Sequence, residues 1–179
     1  MNALELFKQV KAFVFDIDGV MTDNTVLVLP DFNIDGKIVM ARTMSVRDGY
    51  AIQLAVKLGY PVAVISGGKE TGAGKRLHDL GVKHVFMDVK DKVGCFEAFL
   101  KDYSLDPAAV LFMGDDIPDY QVMQKAGIKT CPADACNEIK AISSYLSPLK
   151  GGQGCVRDVI EKTLKLQNNW PLTTDIKAQ

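Results

Sequence analysis

Basic excess, long apolar runs and paired cysteines are all missing from this chain. Its 179 residues carry 21 Lys and Arg against 22 Asp and Glu, a net charge of −1. That excludes the broad positive footprint selected by nucleic acid or an anionic membrane surface. No apolar run approaches the roughly 18 residues of a membrane-spanning helix. Met1-Asn2-Ala3-Leu4-Glu5 lacks the basic and apolar regions of a secretory signal. Cys95, Cys131, Cys136 and Cys155 form no CxxC spacing, so they read as reduced thiols rather than a disulfide framework or thiolate metal site. There is no internal repeat or low-complexity tract. A soluble, cytoplasmic chain is the expectation. Its length suits one domain, and 47% hydrophobic with 24% charged residues is the ordinary globular balance.

What is present is a rhythm of short apolar runs ending in polar residues. Ala12-Phe13-Val14-Phe15 runs into Asp16, Val62-Ala63-Val64-Ile65 into Ser66, and Val110-Leu111-Phe112-Met113 into Gly114-Asp115. Val82-Lys83-His84-Val85-Phe86 and the weaker Ile128-Lys129-Thr130-Cys131 complete the set. Unalternating β-branched runs suit strands buried on both faces, hence a parallel sheet covered by helices. Helical spacing in Ala51, Ile52, Ala55, Val56 and Leu58, and in 69–80, 92–100, 118–126 and 156–166, supplies those helices. The expected fold is an α/β three-layer sandwich around a central parallel sheet, Rossmann-like, filling residues 1–166 as one domain. Residues 25–44, with Asp35-Gly36 as the turn, read as a projecting β-hairpin apolar enough to pack against another subunit. Gly151-Gly152-Gln153-Gly154 reads as a flexible joint, and 167–179 as a polar C-terminal tail that need not be ordered.

Ligands of open α/β sheets bind beyond the carboxyl ends of the strands. Asp16, Asp18, Ser66, Asp115, Asp116 and Asp119 fall at or just after such ends, and Lys92 follows by a short loop. Five carboxylates at one rim repel one another, by about 4 kcal/mol for two charges 4 Å apart at an effective dielectric near 20. A hard cation with oxygen ligands, Mg²⁺ above all, relieves that repulsion without His or Cys. Helix capping accounts for one or two of Asp115, Asp116 and Asp119, but not for Asp16-Ile17-Asp18 opposite. A cation, a nucleophilic carboxylate, a hydroxyl and a lysine make a phosphoryl-transfer set, with a second carboxyl two residues on to move the proton.

Asp16-Ile17-Asp18-Gly19-Val20-Met21-Thr22-Asp23, Ile65-Ser66-Gly67, Lys92 and Gly114-Asp115-Asp116-Ile117-Pro118-Asp119 resemble, in order and spacing, the four motifs of the haloacid dehalogenase superfamily of phosphatases. The resemblance implies that Asp16 is the nucleophile and Asp18 the general acid and base. It implies that Ser66, Gly67 and Lys92 hold the phosphate. It also implies that Mg²⁺ takes Asp16, Asp115 and the backbone of Asp18, with Asp119 or Asp116 nearby. Neither gap between the first three motifs can house a cap domain. Ser45-Val46-Arg47-Asp48-Gly49-Tyr50, Arg76 and the Gly151–Arg157 ending are similar to the capless, tetrameric 3-deoxy-D-manno-octulosonate 8-phosphate phosphatases of lipopolysaccharide synthesis. That family implies substrate contacts from Asp18, Ser45, Val46, Arg47, Asp48, Gly49 and Arg76, some across a subunit boundary, with the neighbour acting as cap in a homotetramer. Where such relatives have Thr-Gly-Arg, this chain has Ser66-Gly67-Gly68-Lys69, with Lys69 the available point charge. An eight-carbon sugar acid phosphate and a nine-carbon nonulosonate phosphate both remain open as substrates.

Two rivals share parts of this pattern. A phospho-acceptor signalling domain also gathers acids, a hydroxyl and a lysine, but its acceptor Asp follows the third strand and lacks a proton shuttle like Asp18. An idle oligomerisation module would not need every catalytic residue type. His78 and His84 lie off the rim and read as ordinary polar groups.

Overall fold

Three strands form because their runs are apolar at every position, and each is buried along its whole length. The computed structural model describes residues 3–34, 37–69 and 72–171. Helix α1 (Ala3–Gln9) leads into β1 (Ala12–Phe15). The hairpin β2 (Leu27–Ile34) and β3 (Lys37–Ala41) follows, then α2 (Val46–Lys57), β4 (Val62–Ile65), α3 (Gly72–Asp79) and β5 (His84–Phe86). Next come α4 (Lys92–Asp102), β6 (Val110–Met113), α5 (Tyr120–Lys125), β7 (Ile128–Cys131), α6 (Asn137–Ile142), β8 (Tyr145–Leu146) and α7 (Cys155–Leu166). Short 3₁₀ turns at Pro107–Ala109 and Ile117–Asp119 precede β6 and α5.

The sheet is wholly parallel, in the order β5-β4-β1-β6-β7-β8. Alternate residues of each strand feed two separate cores. Phe13, Phe15, Val62, Val64, Leu111 and Met113 pack with α1, α2, α3 and α7 on one face. Ala12, Val14, Ala63, Ile65, Val110 and Phe112 pack with α4, α5 and α6 on the other. This is the expected three-layer sandwich. The edge strand β5 is only half-buried, and the two-residue β8 is too short for periodicity to reveal. With β4 on one side of β1 and β6 on the other, strand order reverses at β1, and the crevice at its carboxyl end is where such sheets take ligands.

The hairpin stands apart as its own two-stranded sheet, with Leu27 opposite Ala41 and Val28 opposite Met40. The expected turn residues Asp35-Gly36 lie outside the described residues, as do residues 172–179 of the expected tail. Nothing large is inserted between β1 and β4 beyond this hairpin and α2, and only α3 lies between β4 and β5. No described helix is long and apolar enough to cross a membrane.

Two sequence expectations change. The Gly151–Gly154 segment is a wedge and not a flexible joint. The Gly152 N–H donates to Val20 O at 2.9 Å and the Gly151 N–H to Asp134 Oδ1 at 3.0 Å. A side chain at Gly151 would begin 2.1 Å from Gly19 O, so only glycine allows this approach. The start of the expected tail is tied down as well. Gln167 Nε2 donates to Val10 O at 2.8 Å and to the Phe7 and Lys8 carbonyls at 3.2 Å, capping the carbonyls at and just after the end of α1. Trp170 stacks edge-on against Tyr50, with the Arg157 guanidinium 5.4 Å from its ring. Hydrophilic residues at a chain end hydrogen-bond to backbone as readily as to water, which composition does not distinguish.

Candidate active site

Each sheet strand near the reversal point hands one side chain to the same crevice. The end of β1 is fixed by the Asp16 N–H donating to Met113 O at 3.0 Å, which sets Asp16 beside the loop after β6. There Gly19, at φ +83, turns the chain beneath Asp115; a Cβ on it would lie 2.0 Å from Asp115 Oδ2. Ser66 follows β4, and its Oγ accepts from the Gly68 N–H at 3.1 Å, leaving its own proton to donate. Lys92 opens α4, whose N-terminus is capped by Asp91 Oδ1 accepting from the Gly94 N–H at 2.9 Å. Asp16, Asp18, Ser66, Gly67, Lys92, Asp115 and Asp119 all line one cavity of about 370 Å³.

Carboxylate oxygens of Asp16, Asp115 and Asp119, all three residues buried, lie within 4.8 Å of one another. The Lys92 Nζ donates to Asp119 Oδ1 at 2.7 Å and sits 3.1 Å from Asp16 Oδ1 as an ion pair. The Asp115 N–H donates to Asp119 Oδ2 at 3.1 Å, so both Asp119 oxygens already have partners. Asp16 Oδ1, by contrast, is a buried oxygen accepting no hydrogen bond. Burial, then the Asp119 charge, pushes the Asp16 carboxyl up to about 8 despite the opposing Lys92. Burial and the charges of Asp119 and Asp116 push Asp115 up to about 7. Burial works against the Lys92 ammonium, but Asp16 and Asp119 outweigh it and hold its pKa above the ordinary lysine value. A dication among these carboxylates would favour the ionised Asp16 that nucleophilic attack needs.

An all-oxygen donor set of three buried carboxylates, one of whose oxygens accepts no hydrogen bond and faces only the Lys92 ammonium, fits Mg²⁺. Asp16 and Asp115 would offer carboxylate oxygens to such an ion, with Asp119 holding Lys92 and the Asp115 backbone behind them. Asp116, exposed, accepts from the Ile117 N–H at 2.8 Å and is a helix cap; of the two alternatives beside the metal, Asp119 is the one in the cluster.

Ser45 to Gly49 and Arg76 are not among the residues lining this cavity. Ser45 caps α2, accepting from the Asp48 N–H at 3.3 Å, so Val46 to Gly49 form the first turn of that helix, ahead of the helical spacing that begins at Ala51. Gly49 weakens the sequence signal for that turn. Asp48 is buried, and its Oδ1 accepts from the Arg157 N–H at 2.7 Å at the start of α7. Burial raises its carboxyl pKa. Val46 is exposed, Arg47 borders a surface groove with Arg157 and Lys165, and Arg76 lies against Gly49.

Two residues at the site carried no sequence signal. The Asn24 Nδ2 donates to Asp115 Oδ2 at 3.3 Å from a left-handed backbone at φ +65, a conformation Asn tolerates better than most residues. Arg42, just past β3, donates through Nε and Nη2 to the two oxygens of Asp18 at 2.5 and 3.2 Å. Twenty-four positions separate that pair in sequence.

Comparison with known proteins agrees with this geometry. The family model for haloacid dehalogenase-like hydrolases matches residues 26–127, a span that includes Ser66, Lys92, Asp115 and Asp119. The chain is 30% identical over 160 residues to the 3-deoxy-D-manno-octulosonate 8-phosphate phosphatase KdsC of Escherichia coli K12, covering 89% of this chain and 82% of that one. The Yersinia pestis KdsC is 30% identical over 167 residues, 93% of this chain and 86% of its own. A crystal structure of the Yersinia pestis phosphatase superposes with a TM-score of 0.87 at 27% identity, covering 94% and 88% of the two chains. The Moraxella catarrhalis phosphatase, solved in complex with a magnesium ion, a phosphate ion and a KDO molecule, superposes at 0.86 with 27% identity over 93% and 92%. The fold, the rim of four motifs and these relatives make the chain a member of the haloacid dehalogenase-like hydrolases, without a cap domain.

Proposed function

We propose that this protein is a Mg²⁺-dependent phosphomonoesterase that hydrolyses 3-deoxy-D-manno-octulosonate 8-phosphate to the free sugar acid and phosphate, a step of lipopolysaccharide precursor synthesis. The observation that carries the reading is the buried Asp16 carboxylate, ion-paired to Lys92 at 3.1 Å and sharing one cavity with Ser66 and with Asp18 two residues on. The phosphatases it resembles act on that substrate by name.

Asp16 attacks phosphorus in line, and the bond from phosphorus to the sugar oxygen breaks as the aspartyl phosphate forms. Asp18 gives its proton to the departing oxygen, then takes one from the water that attacks the aspartyl phosphate. Phosphate leaves, and Asp16 returns as a carboxylate. Lys92, the Ser66 hydroxyl and the Gly67 backbone hold the phosphoryl oxygens, where positioning and charge supply most of the catalysis. Mg²⁺, when bound, supplies positive charge that keeps Asp16 ionised and offsets the charge of the phosphoryl group.

A site without a lid has to exclude water by other means. In this reading a second copy closes it, in a homotetramer. Exposed Val28 and Met40, paired across the strands, with Leu27 on the other face, give the hairpin apolar surface for that contact. Ser45, Val46, Arg47, Asp48, Gly49 and Arg76, none of which lines its own chain's phosphate cavity, would serve the substrate at the boundary between copies.

The test is phosphate release with Mg²⁺ from octulosonate, nonulosonate and hexose phosphates. The octulosonate ester is expected to give the highest kcat/KM. A higher value for the nonulosonate ester moves the substrate to nine carbons, and preference for hexose phosphates overturns the sugar acid reading.

A further inference from the structure

Arg42 is the point at which the hairpin touches the catalytic rim. Its side chain is 12% exposed and that of Asp18 35%, and both Asp18 oxygens face the guanidinium fork. A fork that grips one planar carboxylate is built to grip another. The space around it is set by Gly68, where an added Cβ would lie 3.1 Å from Asp18 Oδ2 and 3.5 Å from Arg42 Nη2. The absent side chain leaves that space to the guanidinium. Lys69, next along the chain, is exposed and does not line the phosphate cavity. Arg42 also lines, with Arg76 and Met44, a second cavity of about 450 Å³. It therefore stands between the phosphate site and a pocket that carries another arginine.

We infer that Arg42 reads the carboxylate of the substrate, exchanging Asp18 for it as the substrate binds. The inference rests on the sugar acid reading above and goes beyond it by naming the residue that selects the acid. In the free enzyme Asp18 satisfies a largely buried guanidinium. Oxygens turned toward a guanidinium are not turned toward a leaving group, so the fork has to open before Asp18 can reach one. A carboxylate entering from the second cavity offers the same planar pair of acceptors. The exchange keeps the hydrogen bonds of Arg42 and frees Asp18 at the moment the ester is in place. An ester with no second anion has nothing to exchange and must separate the pair unaided. Selectivity for acids follows from that difference.

The experiment compares kcat/KM for wild type, Arg42→Ala and Arg42→Lys on two matched pairs of esters. One pair is octulosonate 8-phosphate and a hexose 6-phosphate; the other is 3-phosphoglycerate and glycerol phosphate. The acid-to-neutral ratio within a pair cancels any loss of active protein. It is expected to fall about 10- to 100-fold in Arg42→Ala, the scale of a lost charged, two-pronged hydrogen bond. The fall should be smaller in Arg42→Lys, which keeps the charge without the fork. Ratios equal in all three proteins overturn the inference. If wild type does not favour the octulosonate ester but its ratio in the small pair falls on losing Arg42, the substrate reading fails and the role of Arg42 stands. If wild type favours octulosonate and Arg42→Ala does so equally, the reverse holds. A wild type indifferent to the carboxylate in both pairs sinks both.

Discussion

Asp16 and Asp115 owe their raised proton affinity to the same crowding that suits them to a cation. Both fold into a buried site beside Asp119, and their pKa values rise from 3.8 to about 8 and about 7. A folded-state pKa above the unfolded one gives stability that is full below about pH 4 and lost as pH climbs through 7 to 8. The metal-free protein should therefore lose stability across that range. Mg²⁺, which displaces those protons, should raise Tm more at pH 8.5 than at pH 6. Thermal unfolding with Mg²⁺ and with EDTA measures this, and equal shifts at both pH values would remove the cluster as the metal site. Asp16→Asn should abolish turnover with the fold intact by circular dichroism. Asp18→Asn should slow it by about 10²- to 10⁴-fold, the usual scale of general acid–base help. Full activity in either variant would strip that residue of its assigned role. These aspartates were legible because each follows an apolar run. Arg42 was not, because its partner lies on another element and no local pattern links them.

Between elements, the firmest support for the catalytic loop comes from the glycine segment before α7. Gly151 meets Gly19 O so closely that Gly151→Ala must push the Asp16–Asp18 loop or its own loop aside. Such overpacking typically costs about 1–3 kcal/mol. Denaturant unfolding should show that loss together with reduced kcat, and an unaltered enzyme would mean that the wedge is slack. Cys155 ties the same region down, its buried Sγ donating to Val20 O at 3.1 Å. Read along the chain, consecutive glycines signal freedom. In the fold they mark the place where two backbones touch. At the start of α2 a Ser45 cap and the burial of Asp48 against α7 hold a helical turn that Gly49 disfavours locally.

For the whole molecule, the exposed hairpin is the feature that a single chain leaves unexplained. Val28 and its cross-strand partner Met40 are 60% and 44% exposed on one face of the hairpin, and an exposed apolar patch of this kind marks a contact surface. If a second copy closes the site as proposed, Val28→Glu should give a monomer in light scattering with reduced activity; a wild type that is a fully active monomer would refute closure by a neighbour. By itself the sequence determined the parallel sheet, its burial on both faces and the rim of Asp16, Ser66, Lys92 and Asp115. Those follow from periodicity and from strand ends, which are local properties of the chain. Only the tertiary structure decided that Asp119 serves Lys92, that Asp116 is a cap, that the glycine segment is a wedge and that Arg42 holds Asp18. Each of these depends on which side chains meet across space, and such meetings are set by packing between elements far apart in the chain.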